Sequence, residues 1–252
     1  MYSNLLLGQV FHSYADSIRI KYNIPELVYA VVSSDSIIEI QCMGVKRINT
    51  RFYADINDRF RIGSNTKTIT SLITMLLVKQ GKLEWETKFF DLYPELKIQS
   101  DTSYYNLNLK DLISLRAPII PWTYSDEDPK DDEIKGDNFK QRYNFIAWVL
   151  KQKPIVEKKT YYWSNPSYVM AGLMLEKITG KRFETLVKEF GNSLKINFDF
   201  GQPNTNDRNQ PWGHNENLIP ETPRINTKLN WLSSAGNLNV SLPDYCKFIQ
   251  LQ

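Results

Sequence analysis

The chain has 252 residues, of which 42% are hydrophobic and 23% are charged. This composition is typical of a globular protein and excludes a disordered chain. With 31 basic and 28 acidic side chains, the net charge of +3 gives no reason to expect nucleic acid or an anionic membrane as a partner. Two cysteines and two histidines are too few for a disulfide framework or a zinc site, so we expect no metal and no other cofactor.

The start of the chain lacks the features of a targeting or membrane segment. The run Leu5-Leu6-Leu7 is interrupted at once by Gly8 and is not preceded by basic residues. No apolar run in the chain approaches the roughly 20 residues of a membrane span. The sequence therefore predicts no transmembrane segment and no signal peptide.

The first quarter of the chain predicts one helix followed by strands. Apolar residues at three- and four-residue steps predict a helix over residues 5–22. Residues 27–33 and 37–45 are rich in β-branched and aromatic side chains and flank the polar Ser34-Asp35-Ser36, which is the pattern of a two-stranded hairpin. A short strand is expected at residues 59–62.

Beyond this strand the periodicity is helical. A helix is predicted from Ser64 to Gln80, with Gly81 at its end. Another is predicted to open with Pro166 in its first turn and to close before Gly180. The further predicted helices cover residues 109–115, 139–151 and 183–190. Strand signals nearly vanish, and the acidic run Asp126 to Glu133 is expected to be a solvated loop.

The last residues of the chain contain a signal for the beginning of a helix but no signal for its end. Ser241 is a good N-cap, Asp244 stands at the third helical position, and the apolar face that follows reaches Gln252 without a terminating signal. This pattern predicts that the sequence is truncated and ends inside a structural element.

The motif with the clearest chemistry is Ser64-Asn65-Thr66-Lys67. Positions i and i+3 share one face of a helix, so the Lys67 amine can reach the Ser64 hydroxyl. A lysine with a lowered pKa can take the proton of a serine, and a serine in the first turn lies beside free backbone N–H groups that stabilise an oxyanion. An ordinary capped helix with an exposed lysine can have the same spacing, so the motif alone does not distinguish a catalytic pair from a structural one.

The sequence around this motif, residues 60–70 and 76–83, resembles the first active-site motif of the serine β-lactamase and penicillin-binding protein superfamily. The nearest branch is similar to the class C β-lactamases and their esterase and peptidase relatives. Similar segments follow in order along nearly the whole chain, at residues 24–25, 92–96, 109–113, 164–172, 176–180 and 234–238.

The resemblance implies an α+β, β-lactamase/transpeptidase-like fold, with an antiparallel sheet flanked by helices and a large helical region. A single domain over residues 1–252 is expected. Residues 1–63 would form the first helix and hairpin, residues 64–240 the mainly helical region with the first two motifs, and residues 241–252 the start of a last helix. Relatives carry a third motif, Lys-Thr-Gly or His-x-Gly, on later strands. We expect those strands to be absent here, so that the chain brings only the first hairpin of the sheet.

The second family motif is Tyr-x-Asn, and the matching position here reads Trp163-Ser164-Asn165. The resemblance implies that Asn165 contacts the substrate and Lys67. An indole N–H donates a hydrogen bond but cannot accept a proton, so Trp163 cannot be a general base. Tyr162, one residue away, is the alternative. Where relatives often carry His-Thr-Ser-Gly, this chain has residues 115–118, Leu-Arg-Ala-Pro.

Other aromatic and histidine side chains leave two interpretations open. Trp122, Tyr124, Trp212 and Trp231 either line a ligand groove or anchor the core and loops, and the second role is the commoner one. His214 either contacts the substrate or is a hydrogen-bonded loop histidine, which is the interpretation we favour.

These features favour a serine hydrolase that forms an acyl-enzyme on a β-lactam, a peptidoglycan stem peptide or a small ester. Ser64, Lys67 and Asn165 are its predicted catalytic residues, and Trp163, Tyr162, Trp122 and His214 are possible pocket residues. The alternative is a catalytically impaired binding or sensing domain of the same fold. The resemblance implies a periplasmic or cell-surface location, and the sequence leaves the oligomeric state open.

Overall fold

A computed structural model describes residues 2–155, 160–205, 207–222 and 227–251, with the backbone alone at residues 2–10 and 227. The helices are α1 (Tyr2–Lys21), α2 (Thr66–Lys79), α3 (Phe89–Leu92), α4 (Leu109–Ile113), α5 (Asn138–Val149), α6 (Asn165–Thr179), α7 (Phe183–Ser193), α8 (Thr227–Trp231), α9 (Ser233–Gly236) and α10 (Leu242–Ile249). The strands are β1 (Glu26–Val32), β2 (Ile37–Gly44), β3 (Arg59–Arg61), β4 (Asp199–Phe200) and β5 (Leu238–Ser241).

The chain divides into two compact units. The first comprises residues 1–61, 191–225 and 239–252, and the second comprises residues 62–190 and 226–238. Residues 191–225, which lie within the helical region expected over residues 64–240, belong to the first unit. None of the described helices is long and apolar enough to cross a membrane.

The predicted hairpin is confirmed in the first unit. Strands β1 and β2 are antiparallel, with Glu26 opposite Gly44 and Val28 opposite Cys42. Helix α1 packs on this hairpin, where the Phe11 ring meets the edge of Tyr29 at a centroid distance of 5.0 Å.

The described residues form more strands than the first hairpin to which the expected sheet was limited. A second sheet has the order β3-β5-β4, and β5 pairs antiparallel with β3, with Arg59 opposite Ser241. All four residues of β5 are buried. The sequence of β5, Leu-Asn-Val-Ser, does alternate apolar and polar residues, but four residues are too few for that alternation to reveal a strand.

The last helix, α10, begins after Ser241 as predicted, but the Ser241 side chain makes no capping hydrogen bond. The Asp244 carboxylate accepts the N–H of Asn197 at 2.9 Å and the Lys247 ammonium at 2.6 Å instead. The first turn of α10 is thus fastened to the segment between α7 and β4.

Helix α6 is the centre of the second unit, and its residues are buried from Asn165 to Glu176. Both local signals predicted for it are confirmed, with Pro166 in the first turn and Gly180 in a left-handed conformation at the end. Helices α2, α4, α5 and α9 pack around it. A Cβ at Gly172 would lie 2.5 Å from the Ser234 hydroxyl, so only glycine allows α9 to approach α6 this closely.

A buried ion network joins α5, α6 and α7. The Arg142 guanidinium, 1% exposed, contacts the Glu176 carboxylate at 2.6 Å and the Glu184 carboxylate at 2.7 Å. The Glu176 carboxylate also accepts the N–H of Phe183 at 2.8 Å. The two carboxylates therefore neutralise a cation that would be costly to bury alone.

The acidic run from Asp126 to Glu133 has no helix or strand, and its acidic side chains are exposed. The predicted solvated loop is thus confirmed.

A carboxyl pair lies beneath the start of β1 in the first unit. Asp58, 2% exposed, is bound by the Lys46 ammonium at 2.6 Å and by the N–H of Asp55 at 2.7 Å. Both carboxyl oxygens of the neighbouring Glu26 are buried. Burial, reinforced by the adjacent Asp58 carboxylate, raises the pKa of Glu26 to about 8.

Replacing Glu26 with glutamine is expected to flatten the pH dependence of stability. A carboxyl with a raised pKa keeps a proton that the unfolded chain releases. Its contribution to the free energy of unfolding is therefore complete below the ordinary pKa of 4.5 and is lost as the pH rises through about 8. Between pH 5 and pH 8, wild type should lose on the order of 2 kcal/mol more than Glu26→Gln in urea unfolding.

The control is Glu216→Gln, which changes an exposed loop carboxyl of the same unit and should follow the wild-type slope. Equal slopes for wild type and Glu26→Gln would contradict the assignment.

Candidate active site

Ser64 lies in a 3₁₀ turn, Gly63–Asn65, that leads directly into α2. Gly63 has a φ of 50°, a left-handed conformation that favours glycine, and it turns the chain out of β3. The Ser64 side chain is exposed, whereas Lys67, one turn later, is only 5% exposed. The sequence thus places an accessible hydroxyl above a buried amine.

The Lys67 ammonium has three acceptors from three separate parts of the second unit. Its Nζ donates to the Ser64 hydroxyl at 3.2 Å, to the Asn165 side-chain oxygen at 2.6 Å and to the Ala235 carbonyl at 2.8 Å. These bonds match the three donors of an ammonium group. The structure therefore brings together the three predicted catalytic residues. It adds Ala235, which contributes only its backbone carbonyl, so its side chain gives no indication of this role in the sequence.

Burial lowers the pKa of Lys67 from 10.5 to about 8, because the charged form loses hydration. Roughly a tenth of the amine is then neutral at pH 7 and can accept a proton. A lysine in water would be almost fully protonated at that pH.

Asn165 is held in place by the loop before α5. Its side-chain nitrogen donates to the Trp122 carbonyl at 2.9 Å, and the hydroxyl of Ser164 donates to the Ile120 carbonyl at 2.9 Å. The Trp122 ring is buried and stacks on Trp231 at 5.5 Å between centroids. The buried, stacked ring has the geometry of a core anchor, and the Trp122 carbonyl supports the site through its bond to Asn165.

Trp163, which the sequence resemblance aligns with the second-motif tyrosine, is 46% exposed. The ring centroid lies 4.8 Å from Lys67 Nζ, and the Tyr168 ring lies 5.6 Å from the same atom. The alternative residue, Tyr162, donates its N–H to the Leu115 carbonyl at 2.8 Å. The Trp163 ring therefore faces the lysine.

These residues border a shallow cavity of about 370 Å³. Hydroxyl groups of the α2 segment form one wall, and aromatic and apolar side chains form the other. Lys67 is the charged group among the described lining residues, which are Ser64, Asn65, Lys67, Thr68, Ser71, Leu115, Trp163 and Tyr168.

His214 belongs to the first unit, where its Nε2 accepts the N–H of Ile48 at 3.1 Å. Burial lowers the pKa of this imidazole. This is the geometry of the hydrogen-bonded loop histidine that the sequence favours. Trp212 nearby covers the Arg47 guanidinium at 4.3 Å and thus anchors a loop. Tyr124, by contrast, is exposed in the solvated loop region.

The beta-lactamase family model matches residues 9–252. The chain belongs to the beta-lactamase family. This membership confirms the resemblance that the sequence motifs indicated.

Solved structures of low sequence identity share the fold. The octameric penicillin-binding protein homologue from Pyrococcus abyssi superposes with a TM-score of 0.77 at 18% identity, covering 95% of this chain and 55% of that protein. The class C beta-lactamase from Rhodobacter sphaeroides gives a TM-score of 0.75 at 18% identity, covering 95% of this chain and 64% of that protein. The predicted α+β, β-lactamase/transpeptidase-like fold is therefore confirmed.

A relative by sequence is Protein flp of Staphylococcus aureus, 21% identical over 165 residues. That match covers 65% of this chain and 32% of the relative. The chain thus corresponds to about a third of the length of this relative and to little more than half of the Pyrococcus protein.

Truncating Asn165 to alanine is expected to lower the free energy of unfolding by about 2–4 kcal/mol, because it removes a hydrogen bond to a buried ammonium and leaves the Trp122 carbonyl unpaired. Urea unfolding measures this loss. The control is Asn144→Ala, which removes an exposed side-chain bond to the Lys135 carbonyl and should cost less than about 0.5 kcal/mol. Similar losses for the two variants would argue against Asn165 as a buried junction.

Proposed function

We propose that this chain carries the nucleophile and the base of a serine hydrolase that works through an acyl-enzyme. The observation that carries the proposal is the contact between an exposed Ser64 hydroxyl and a buried Lys67 amine whose pKa is lowered to about 8. A serine becomes a nucleophile when a neighbouring base removes its proton. Desolvation is the physical means by which a lysine becomes such a base near neutral pH.

In the proposed reaction, the Ser64 oxygen attacks a carbonyl carbon while its proton passes to Lys67 Nζ. The negative charge that develops on the carbonyl oxygen faces the backbone N–H of Ser64. When the tetrahedral intermediate collapses, the bond to the leaving group breaks and the leaving group takes the proton from Lys67. A water molecule then attacks the resulting ester, which releases a carboxylic acid and restores Ser64.

Lys67 carries the proton transfers in this scheme, because Trp163 has no group that can accept a proton. Asn165 orients the amine through its 2.6 Å bond and contacts the substrate. The family relationship favours a β-lactam, a peptidoglycan stem peptide or a small ester as substrate.

A second candidate function is a binding or sensing domain that retains the pocket without turnover. Trp163 is the observation that favours it, since the tyrosine hydroxyl of the second motif is replaced by an indole in contact with Lys67. Loss of a general base costs about 10² to 10⁴ in rate. Ligand binding without acylation would then be the function of the pocket.

Treating the whole chain with a fluorophosphonate probe should add covalent mass at Ser64, read by peptide mass spectrometry, because the hydroxyl is exposed and activated. Ser64→Ala should remain unlabelled. Ser114→Ala, which changes an exposed serine after α4, is the control and should be labelled like wild type. Folded wild-type protein that binds a β-lactam reversibly but stays unlabelled would favour the second function.

The labelling rate should follow the deprotonation of Lys67. It is expected to rise about tenfold per pH unit below pH 8 and to level off above it, because only the neutral amine accepts a proton. Lys67→Met should label about 10² to 10⁴ times more slowly. Lys79→Met, which changes an exposed lysine of the same helix, is the control. A rate that does not change between pH 6 and pH 9 would rule out this base.

A further inference from the structure

The residue by which this chain departs from its family at the second motif faces the proposed base. The Trp163 centroid lies 4.8 Å from Lys67 Nζ, and the Tyr168 centroid lies 5.6 Å away. Both distances fall within the roughly 6 Å over which an aromatic face attracts a cation. Indole is the strongest of the aromatic side chains in this contact, and here it is also the nearer ring.

The two rings complete the surroundings of the ammonium. Its three hydrogen-bond donors are taken by Ser64, Asn165 and Ala235, so the remaining neighbours of Nζ can contribute only through the faces of their rings. Trp163 precedes the capping residue of α6, and Tyr168 lies in the first turn of that helix. The start of α6 therefore places both rings against one amine.

Among the residues that the structure describes, the groups that face Lys67 carry no formal charge at neutral pH. From the 3₁₀ turn it meets the Ser64 hydroxyl, from α6 the Asn165 amide and the Tyr168 phenol, and from α9 a peptide carbonyl. Tyr168 is the titratable group among them, and burial raises its pKa further above neutrality. The ring faces are thus the electrostatic partners that remain for the protonated amine besides its hydrogen bonds.

We propose that Trp163 is a positioning residue for Lys67, and that its indole face stabilises the protonated amine and sets the pH at which this amine becomes a base. The consequence for catalysis rests on the proposed function, whereas the effect on the amine itself does not. Burial and the aromatic face act in opposite directions. Burial favours the neutral form, and the ring favours the charged form.

A Trp163 that only shielded Lys67 from water would shift the pKa of the amine in the opposite direction. If Trp163 only kept water away, its removal would hydrate the amine and raise the pKa of Lys67. If its ring stabilises the charge, replacement by an aliphatic side chain lowers that pKa. The direction of the change therefore separates the two roles.

The test is an NMR titration of the chain labelled with [ε-¹³C]lysine, with the Lys67 signal assigned by its absence in Lys67→Met. In Trp163→Leu the midpoint should fall by about 0.5 to 1 pH unit, as expected for loss of a partly desolvated cation–π contact. In Trp163→Phe, which keeps a weaker ring, the fall should be smaller. The labelling rate of Ser64 should move its inflection in the same order.

Trp212→Leu is the matched control, because it removes an indole from the Arg47 guanidinium in the other unit and should leave the Lys67 midpoint unchanged. Circular dichroism checks that each variant is folded, and Trp163→Met replaces Trp163→Leu if the latter unfolds. A midpoint that is unchanged or raised in the aliphatic variant would overturn the proposal.

The titration does not depend on turnover. The proposed hydrolase activity and the proposed role of Trp163 can therefore be contradicted independently of each other. A wild-type protein that stays unlabelled, with a midpoint that falls in Trp163→Leu, would contradict the hydrolase and support the aromatic contact. Labelling at Ser64 with equal midpoints in wild type and Trp163→Leu would do the reverse.

Discussion

The second unit depends on one constraint, the burial of a lysine ammonium. Removing such a charge from water costs several kcal/mol unless its donors are satisfied. Lys67 meets this requirement with a hydroxyl from its own helical segment, an amide oxygen from α6 and a peptide carbonyl from α9. Three parts of the chain that lie far apart in sequence must therefore come within hydrogen-bond distance of one atom. The packing of the unit holds them there.

The convergence is produced by close contacts between α2, α6 and α9. Gly172 lets the Ser234 segment approach α6, and the hydroxyl of Thr70 donates to the Ser234 carbonyl at 2.7 Å. The Thr66 hydroxyl accepts the N–H of Leu238 at 3.2 Å. These two threonines hold the segment from Ser234 to Leu238, which includes most of α9, against α2. Gly172, Thr66 and Thr70 thus fix the Ala235 carbonyl beside Lys67, although none of them accepts a hydrogen bond from the Lys67 amine.

The sequence predicts what is encoded locally. Helix α6 has a proline in its first turn and a glycine after its last residue, and its position follows from those residues. The pairing of Ser64 with Lys67 follows from helical spacing, and Asn165 from the family motif. The pairing of β5 with β3 has no such signal, because it joins residues about 180 positions apart. The carbonyls of Ala235 and Trp122 could not be predicted either, since a backbone acceptor is the same whatever side chain it bears.

The neutrality of the acceptors among the described residues explains why burial can lower the pKa of a lysine whose three donors are all bonded. A carboxylate within hydrogen-bond distance would favour the charged form and raise the pKa of Lys67 by about one to three units, which would cancel the effect of burial. The same unit does bury the Glu176 carboxylate, but that group is bound to Arg142, which also binds the partly exposed Glu184 carboxylate, and the charges of this network hold three helices together. Around Lys67 the partners are dipoles and ring faces. These neutral groups accept the hydrogen bonds of the ammonium but bring no negative charge to stabilise it. The amine can therefore lose its proton near pH 8 without breaking an ion pair.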